Sequence, residues 1–179
     1  MSNYKVVIPT AGLGSRVGPY SKYMNKALVT IGDKPSIVRI IEQFDQAAEF
    51  VIILGFKGEQ IRQVVNAFFP DRKITFETID KFEGKGSGLG YTLRSAKHHL
   101  MCPFIFISND TICGQVEPNL NPALNGNWLA FYKKKKGDQI NLEQYRTVSH
   151  TDGFLTNILP KGIPNDDVYI GLCGVADYE

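Results

Sequence analysis

Ile8-Pro9-Thr10-Ala11-Gly12-Leu13-Gly14-Ser15-Arg16 follows a short apolar run near the start of this 179-residue chain, and Lys26 comes ten positions after Arg16. An apolar strand that enters a loop of small residues leaves backbone N–H groups uncovered, because glycine has no side chain. Arg16 and Lys26 add two fixed positive charges. The stretch therefore predicts a strand followed by a polyphosphate-binding loop, which indicates a nucleotide site.

The spacing of the loop excludes two other nucleotide motifs. A dinucleotide fingerprint needs a third glycine where this chain has Val17; Gly18 comes one position late and Pro19 interrupts a helix. The Gly-x-x-x-x-Gly-Lys-[Ser/Thr] string of a P-loop does not occur anywhere in the sequence.

Apolar runs of strand length alternate with amphipathic segments up to Thr111. The runs predict buried strands over 4–9, 50–54, 74–79 and 104–108, and helices over 35–47, 58–68 and 91–100. In the first helix the apolar positions are Ile37, Ile40, Ile41 and Phe44, which form one helical face. This alternation predicts a parallel sheet covered on both faces, with ligands bound beyond the carboxyl ends of its strands.

The pattern changes after Thr111 to strand-like pieces without intervening helices. These pieces cover 128–133, 144–149, 154–159 and 168–175. They predict an antiparallel extension that closes over the nucleotide-binding part.

Composition excludes several classes of protein. The chain is 43% apolar and 21% charged with a net charge of +2, which is typical of a globular protein and too small a charge to indicate nucleic-acid binding. We find no apolar run long enough for a membrane span and no signal peptide, so we expect a cytoplasmic protein without a membrane partner. The three cysteines, Cys102, Cys113 and Cys173, support neither a disulfide framework nor a cysteine-based zinc site.

Two further segments carry groups suited to a nucleotide site. Four glycines lie between Gly84 and Gly90, ahead of the third predicted helix, where bare backbone lets a base or sugar approach closely. Asp110 follows the buried strand 104–108, and a carboxylate at that end of a parallel sheet is a hard oxygen ligand suited to Mg²⁺.

The loop pattern Gly-x-Gly-[Ser/Thr]-Arg, with a lysine about ten residues later, resembles the signature loop of the sugar-phosphate nucleotidyltransferases. Relatives of that family include choline-phosphate cytidylyltransferases. The resemblance extends from Tyr4 to Glu179 and implies a Rossmann-like, three-layer α/β/α fold of the GT-A-like kind, with a mainly parallel central sheet and an antiparallel β extension in the C-terminal half. We expect a single domain over 1–179, with a nucleotide-binding half (1–112) and an acceptor-binding half (113–179).

The resemblance also implies roles for individual residues. It assigns catalysis to Arg16 and Lys26, and a Mg²⁺ ligand to Asp110. It assigns acceptor binding to Lys161, Tyr169 and Gly171. The nucleotide-binding residues that it implies are Ala11, Gly12, Leu13, Gly14, Ser15, Gly86, Ser87 and Gly88.

Four positions depart from the family pattern. Asn25 stands where the signature loop usually has proline, from which we expect a less rigid loop. Asn109 replaces a glycine before the metal-binding aspartate. Pro160 replaces a glutamate before Lys161, and Cys173 replaces an aromatic residue on the acceptor side, which argues against an ordinary hexose phosphate. The family also uses a second aspartate beyond the acceptor strand, and we expect this chain to be a shortened form that lacks it.

The expected reaction is transfer of a nucleoside monophosphate from a nucleoside triphosphate to a phosphorylated small molecule, with release of pyrophosphate. CTP or UTP is favoured because the segment at Gly86 to Gly88 suits a small base, and the acceptor is a sugar 1-phosphate or a phosphorylated alcohol. A role in capsule or surface polysaccharide precursor synthesis is expected, and a homo-oligomer is left open. The alternatives are a GT-A type glycosyltransferase that uses a nucleotide-sugar and a non-catalytic nucleotide-binding module.

Overall fold

A computed structural model of the chain describes residues 4–113 and 121–178. The strands in these residues are β1 (Lys5–Pro9), β2 (Thr30–Ile31), β3 (Lys34–Pro35), β4 (Glu49–Leu54), β5 (Ile74–Thr78), β6 (Phe104–Ile107), β7 (Trp128–Lys133), β8 (Thr147–Thr151), β9 (Phe154–Leu159) and β10 (Asp167–Val175). The α-helices are α1 (Ser36–Glu42), α2 (Gly58–Phe68), α3 (Leu89–Ser95) and α4 (Pro122–Asn125).

One large sheet organises the structure. Its parallel part has the order β5-β4-β1-β6, and β10 continues it antiparallel to β6. β10 also pairs with β7 along one edge, and at Val168 it pairs with β8, which in turn pairs with β9. The predicted parallel sheet with an antiparallel C-terminal extension is therefore confirmed.

Strands β1, β4 and β6 are buried on both faces, because alternate side chains enter two separate apolar clusters. The prediction of a buried strand over 74–79 is wrong in its burial, since the edge strand β5 is only partly covered. In β1, Val6 and Ile8 pack with the residues of α1 and α2, whereas Val7 packs on the opposite face. The second cluster contains Val7 together with Val51 of β4 and Phe106 of β6, and it is closed by Leu100, which follows α3. This arrangement is the predicted three-layer α/β/α architecture.

The helix predicted over 35–47 is too long. α1 ends at Glu42, because the backbone N–H groups of Gln43 and Phe44 bond three residues back and tighten the last turn. The Asp45 carboxylate then accepts the N–H of Ala47 at 2.8 Å, which makes a local turn. Phe44 lies outside the helix and still packs in the predicted core.

Three other features differ from the sequence pattern for local reasons. The helix predicted over 91–100 begins two residues earlier and is followed by a separate 3₁₀ turn over Lys97–His99. The strand predicted over 144–149 begins only at Thr147, because Leu142–Gln144 forms a 3₁₀ turn that is capped by the Asn141 side chain. The sequence pattern does not predict the small β2–β3 hairpin, whose strands have only two residues each.

Trp128 of β7 and Gly174 of β10 lie opposite each other. A Cβ added to Gly174 would lie 2.1 Å from the Trp128 indole nitrogen, so the indole occupies the space that a side chain would need. Gly174 therefore permits the pairing of β10 with β7. In the described part of the chain, none of the helices combines the length and hydropathy of a membrane span.

Replacing Gly174 by alanine should lower the free energy of unfolding by about 1–3 kcal/mol, because overpacking forces the indole away. Gly90 is the matched control: it lies in α3, and an added Cβ would meet nothing within 4 Å. Gly90→Ala should be neutral or raise stability by about 0.5–1 kcal/mol. Urea unfolding measures both, and equal stabilities of the Gly174→Ala and wild-type chains would show that the indole does not need this space.

Candidate active site

Hydrogen bonds hold the start of the glycine-containing loop that follows β1. Thr10 is fully buried, and both its N–H and its hydroxyl donate to the carbonyl of Ile53, at 2.8 and 2.9 Å. Gly14 then takes a φ of 66°, and a Cβ at this position would lie 2.8 Å from the Cβ of Lys26. Glycine is thus required for the turn and for the approach of the loop to Lys26.

The side chain of Asn25 connects this loop to the neighbouring strand. Its amide donates to the carbonyls of Thr10 at 2.9 Å and Phe56 at 2.6 Å, which lie beyond the carboxyl ends of β1 and β4. Its oxygen accepts the N–H of Ala27 at 3.0 Å, and its backbone N–H donates to Gln60 of α2 at 3.1 Å. Asn25 is fully buried and has partners for its side-chain oxygen and nitrogen.

The hydrogen bonds of Asn25 oppose the expectation of a less rigid loop. The φ of Asn25 is −69°, which is the value that a proline ring imposes. Hydrogen bonds to two carbonyls hold this conformation. Asparagine thus holds by hydrogen bonding a backbone angle that the proline ring would hold covalently.

Lys26 and Asp110 meet across the site. The Lys26 ammonium lies 3.0 Å from one oxygen of Asp110, and the Ser108 hydroxyl donates to the other oxygen. The Lys26 side chain is 22% exposed and that of Asp110 is 59% exposed, so a solvent-borne anion or cation can reach the pair. The structure thus brings together a predicted catalytic cation and the predicted metal ligand.

Two opposing effects act on the pKa of Asp110. Partial burial raises it, but the hydrogen bond from Ser108 and the positive charges of Lys26 and Arg16 lower it and prevail, so the pKa lies below its ordinary value. Asp110 is therefore a carboxylate at neutral pH and is suited to bind a cation.

A bulge in β10 supports this carboxylate from the acceptor-side half. Pairing with β7 shifts between Tyr169 and Cys173, and Gly171 within the bulge has a φ of 77°. The carbonyl of Gly171 accepts the Ser108 N–H at 2.8 Å, and a Cβ on Gly171 would lie 2.9 Å from that of Ser108. Gly171 thus allows β10 to lie directly against the residue that holds Asp110.

The site consists of two adjoining clefts at the carboxyl edge of the parallel strands. One cleft, of about 500 Å³, lies beside the signature loop and Gln144, and the other, of about 460 Å³, extends toward the segment before α3 and toward β10. Both are lined by Gly12, Arg16, Lys26, Asn109 and Asp110. These shared residues make the two clefts one continuous site.

Most of the predicted site residues line these clefts. In the first cleft are Gly12, Gly14, Ser15, Arg16, Lys26 and Asp110. The second adds Ser87 and Gly88 on one side and Lys161, Tyr169 and Gly171 on the other. Three predicted residues are not among the lining residues: Ala11 is buried against Gly55, and Leu13 and Gly86 lie elsewhere in their loops.

Sequence reasoning missed several polar residues of the site, among them Ser108, Asn109 and Gln144. Ser108 and Asn109 directly precede Asp110, and their position at the end of a buried strand could have indicated them. Gln144 accepts a hydrogen bond from the Arg16 guanidinium at 3.3 Å. Gln144 lies at the end of the 3₁₀ turn Leu142–Gln144. Nothing in its local sequence indicates a contact with Arg16, 128 positions earlier.

On the acceptor side, Tyr169 and Cys173 interact with each other four positions apart on β10. Burial raises the pKa of the Tyr169 phenol above its ordinary value, and the neighbouring Cys173 adds to that effect. Burial likewise raises the pKa of the Cys173 thiol. Both groups are therefore neutral at pH 7, and Tyr169, which lines the second cleft, gives it hydrogen-bonding capacity without charge.

Known proteins are similar to this chain in sequence and in fold. The chain is 37% identical over 146 residues to a UTP–glucose-1-phosphate uridylyltransferase of Staphylococcus epidermidis, covering 68% of this chain and 49% of the relative. Its fold resembles a protein of Bacillus anthracis assigned as a glucose-1-phosphate thymidylyltransferase, with a TM-score of 0.79 and 19% identity over 97% of this chain and 71% of the other. A CTP:phosphocholine cytidylyltransferase of Streptococcus pneumoniae gives a TM-score of 0.72 and 18% identity, over 98% and 72%.

The chain spans only part of the curated relatives that it matches, 24% of the length of some and 61% of another. No family profile matches it. The predicted resemblance to the sugar-phosphate nucleotidyltransferases, and the predicted fold class, are confirmed by these relatives and structures.

Replacing Asn25 by alanine should lower the free energy of unfolding by about 1–3 kcal/mol, because the buried carbonyls of Thr10 and Phe56 lose a donor. Asn141 is the control: Asn25 caps the 3₁₀ turn Lys26–Leu28 and Asn141 caps the turn Leu142–Gln144, but Asn141 is exposed. Asn141→Ala should cost at most about 0.5–1 kcal/mol. If chemical denaturation gives the two variants equal stability, the Asn25 amide does not anchor the loop.

The Asp110 carboxyl should titrate below the ordinary value of about 3.9, observed through its side-chain ¹³C resonance. Because the folded pKa is lowered, the contribution of Asp110 to stability is complete above the unfolded pKa and is lost as the pH falls through the folded value. Ser108→Ala should raise the midpoint, since it removes a hydrogen bond to the charged form. An unchanged midpoint in that variant would show that the Ser108 hydroxyl does not lower the pKa.

Proposed function

We propose that this chain, which resembles the sugar-phosphate nucleotidyltransferases in sequence and fold, transfers a nucleoside monophosphate from a nucleoside triphosphate to a sugar 1-phosphate. The observation that carries the proposal is the convergence of Arg16, Lys26, Asp110 and Lys161 on one continuous cleft at the carboxyl edge of the parallel strands. Three cations and one carboxylate around an open cleft suit a polyphosphate and its metal ion.

The reaction needs positioning and charge neutralisation more than a side-chain nucleophile. An oxygen of the acceptor phosphate, already anionic, attacks the α-phosphorus of the triphosphate; the bond between the α-phosphorus and its bridging oxygen to the β-phosphate breaks, and pyrophosphate leaves. Fixed positive charges at the points where negative charge grows lower the barrier, because they are oriented before the reaction begins.

Arg16 and Lys26 are assigned to the triphosphate. Arg16 lies on the loop beside the first cleft, where its guanidinium can hold the β- and γ-phosphates and then the leaving pyrophosphate. Lys26 lines both clefts, so it is assigned to the α-phosphate between donor and acceptor. The nucleoside is assigned to the side of the second cleft formed by Ser87 and Gly88.

Asp110 fits a Mg²⁺ ion by the chemistry of its donor atoms. It is a partly exposed carboxylate with a lowered pKa, and Mg²⁺ commonly takes only one or two carboxylates and completes its coordination with phosphate oxygens and water. In the described residues, no cluster of three protein ligands includes Asp110, so phosphates would have to supply further ligands. When bound, the ion would neutralise charge on the phosphates.

The acceptor is assigned to the part of the second cleft lined by Lys161, Tyr169 and Gly171. Lys161 follows β9 and is exposed, so its ammonium is available to an acceptor phosphate. The neutral phenol of Tyr169 suits the hydroxyls of a sugar. The similarity to a uridylyltransferase makes UTP the first triphosphate to test and CTP the second, and it favours a sugar 1-phosphate over a phosphorylated alcohol. The product would be an activated sugar for capsule or another surface polysaccharide.

Pyrophosphate release tests this function directly. The chain is mixed with each of the four ribonucleoside triphosphates, with and without sugar 1-phosphates and phosphocholine, in the presence of Mg²⁺. Release that requires both a triphosphate and an acceptor supports the proposal. Triphosphate binding without release would indicate the non-catalytic nucleotide-binding module. Nucleoside diphosphate release only when a nucleotide-sugar replaces the triphosphate would indicate a glycosyltransferase.

Arg16→Ala and Lys26→Ala should each lower turnover by about 10²-fold or more, because each removes a preorganised charge at the phosphates. Lys22→Ala is the matched control, since Lys22 is exposed on the same loop and does not line either cleft. It should keep wild-type turnover. Circular dichroism confirms folding, and wild-type turnover in either test variant would overturn the assignment.

A further inference from the structure

Two histidines and one glutamate converge on the α3 side of the sheet, away from the candidate active site. The Nε2 atoms of His98 and His99 lie 3.5 and 3.1 Å from the same oxygen of Glu77. The ligand atoms of the three side chains all lie within 4.8 Å of one another. None of the three lines the nucleotide cleft.

We propose that Glu77, His98 and His99 form a binding site for a divalent transition-metal ion, with Zn²⁺ as the preferred ion. Two imidazole nitrogens and one carboxylate oxygen are a recurrent zinc ligand set that leaves a fourth position open. A tetrahedral Zn²⁺ with bonds of about 2.0–2.2 Å separates its ligands by roughly 3.3–3.6 Å. The two measured separations from Glu77 are close to this distance.

Buried neighbours and a hydrogen bond to β1 hold the backbone around the two histidines. His98 and His99 lie on the 3₁₀ turn Lys97–His99, which begins after the fully buried Ala96 and ends before the buried Leu100. The carbonyl of His99 accepts the Lys5 ammonium at 2.8 Å, which ties the turn to β1. Ligands on a fixed backbone lose little conformational freedom when they bind a metal ion.

The two rings lie close together beside one carboxylate oxygen, as a shared cation would require. The ring centroids of His98 and His99 are 4.0 Å apart, so two protonated imidazoles would repel each other. A bound cation would use both rings in the neutral form, and the Nε2 atoms of both rings already lie near the same Glu77 oxygen. Such a site would join β5 to the segment between α3 and β6.

Zinc binding tests the site without reference to nucleotide chemistry. The metal-free chain is titrated with Zn²⁺ by isothermal calorimetry, and Co²⁺ replaces Zn²⁺ as a probe whose visible spectrum reports its coordination. We expect one saturable site per chain. His98→Ala and Glu77→Gln should each weaken Zn²⁺ binding by at least about tenfold, because even partners outside the ligand set change metal affinity by about 10–100-fold.

The third histidine of the chain, His150, provides the matched control. It pairs with Asp167 at 3.2 Å on the antiparallel extension, so His150→Ala should keep full Zn²⁺ affinity. His98 is 63% exposed, so its removal leaves the fold intact even if Glu77→Gln proves unstable. Zinc should also shift the imidazole NMR signals of His98 and His99 but not those of His150.

Three results would overturn the proposal. They are the lack of saturable Zn²⁺ binding by the unmodified chain, an unchanged affinity in the folded His98→Ala variant, and loss of binding in His150→Ala. Because the nucleotide cleft does not include these residues, failure of the metal site leaves the proposed transferase reaction untouched, and failure of that reaction leaves the metal site untouched.

Discussion

The buried amide of Asn25 determines where Lys26 lies. Carbonyls at the carboxyl ends of two neighbouring parallel strands point past the sheet, and each needs a donor once it is removed from water. Asn25 supplies both donors from a single amide group. Because Lys26 follows directly and faces Asp110 at 3.0 Å, the charge arrangement of the cleft depends on this neutral, buried anchor beneath it.

Asp110 is held from both parts of the sheet. Ser108 fixes one carboxylate oxygen, and Ser108 is itself held by the bulge of β10 at Gly171. The parallel part of the sheet and its antiparallel extension are therefore joined directly at the site. A carboxylate placed in this way stays charged beside two cations, and in the proposed reaction it lies where the donor and acceptor phosphates must meet.

The sequence predicts the fold well where local pattern and tertiary packing agree. Strands β1, β4 and β6 are rich in apolar residues because both of their faces are buried. The predicted bounds of α2 match the structure to the residue. The prediction is less accurate where side-chain capping decides the boundary, as at Asn141 and Asp45. In the site, the spacing of glycines and charges indicates Gly12, Arg16, Lys26 and Asp110. Gln144 contacts the site only through the tertiary fold, so no local sequence pattern predicts it. Comparison with the family's proline leads to the expectation that Asn25 loosens the loop. The sequence does not show the buried carbonyls to which the Asn25 side chain donates.

The most direct test of the central claim is ³¹P NMR of the chain with Mg²⁺, UTP and a sugar 1-phosphate. We expect loss of the triphosphate and acceptor signals, the appearance of inorganic pyrophosphate, and a pair of coupled signals from a new diphosphate that joins nucleoside and sugar. Hydrolysis of the triphosphate to inorganic phosphate, with the acceptor signal unchanged, would contradict the proposed reaction. So would an unchanged spectrum with every triphosphate and sugar phosphate tried while the nucleotide is shown to bind.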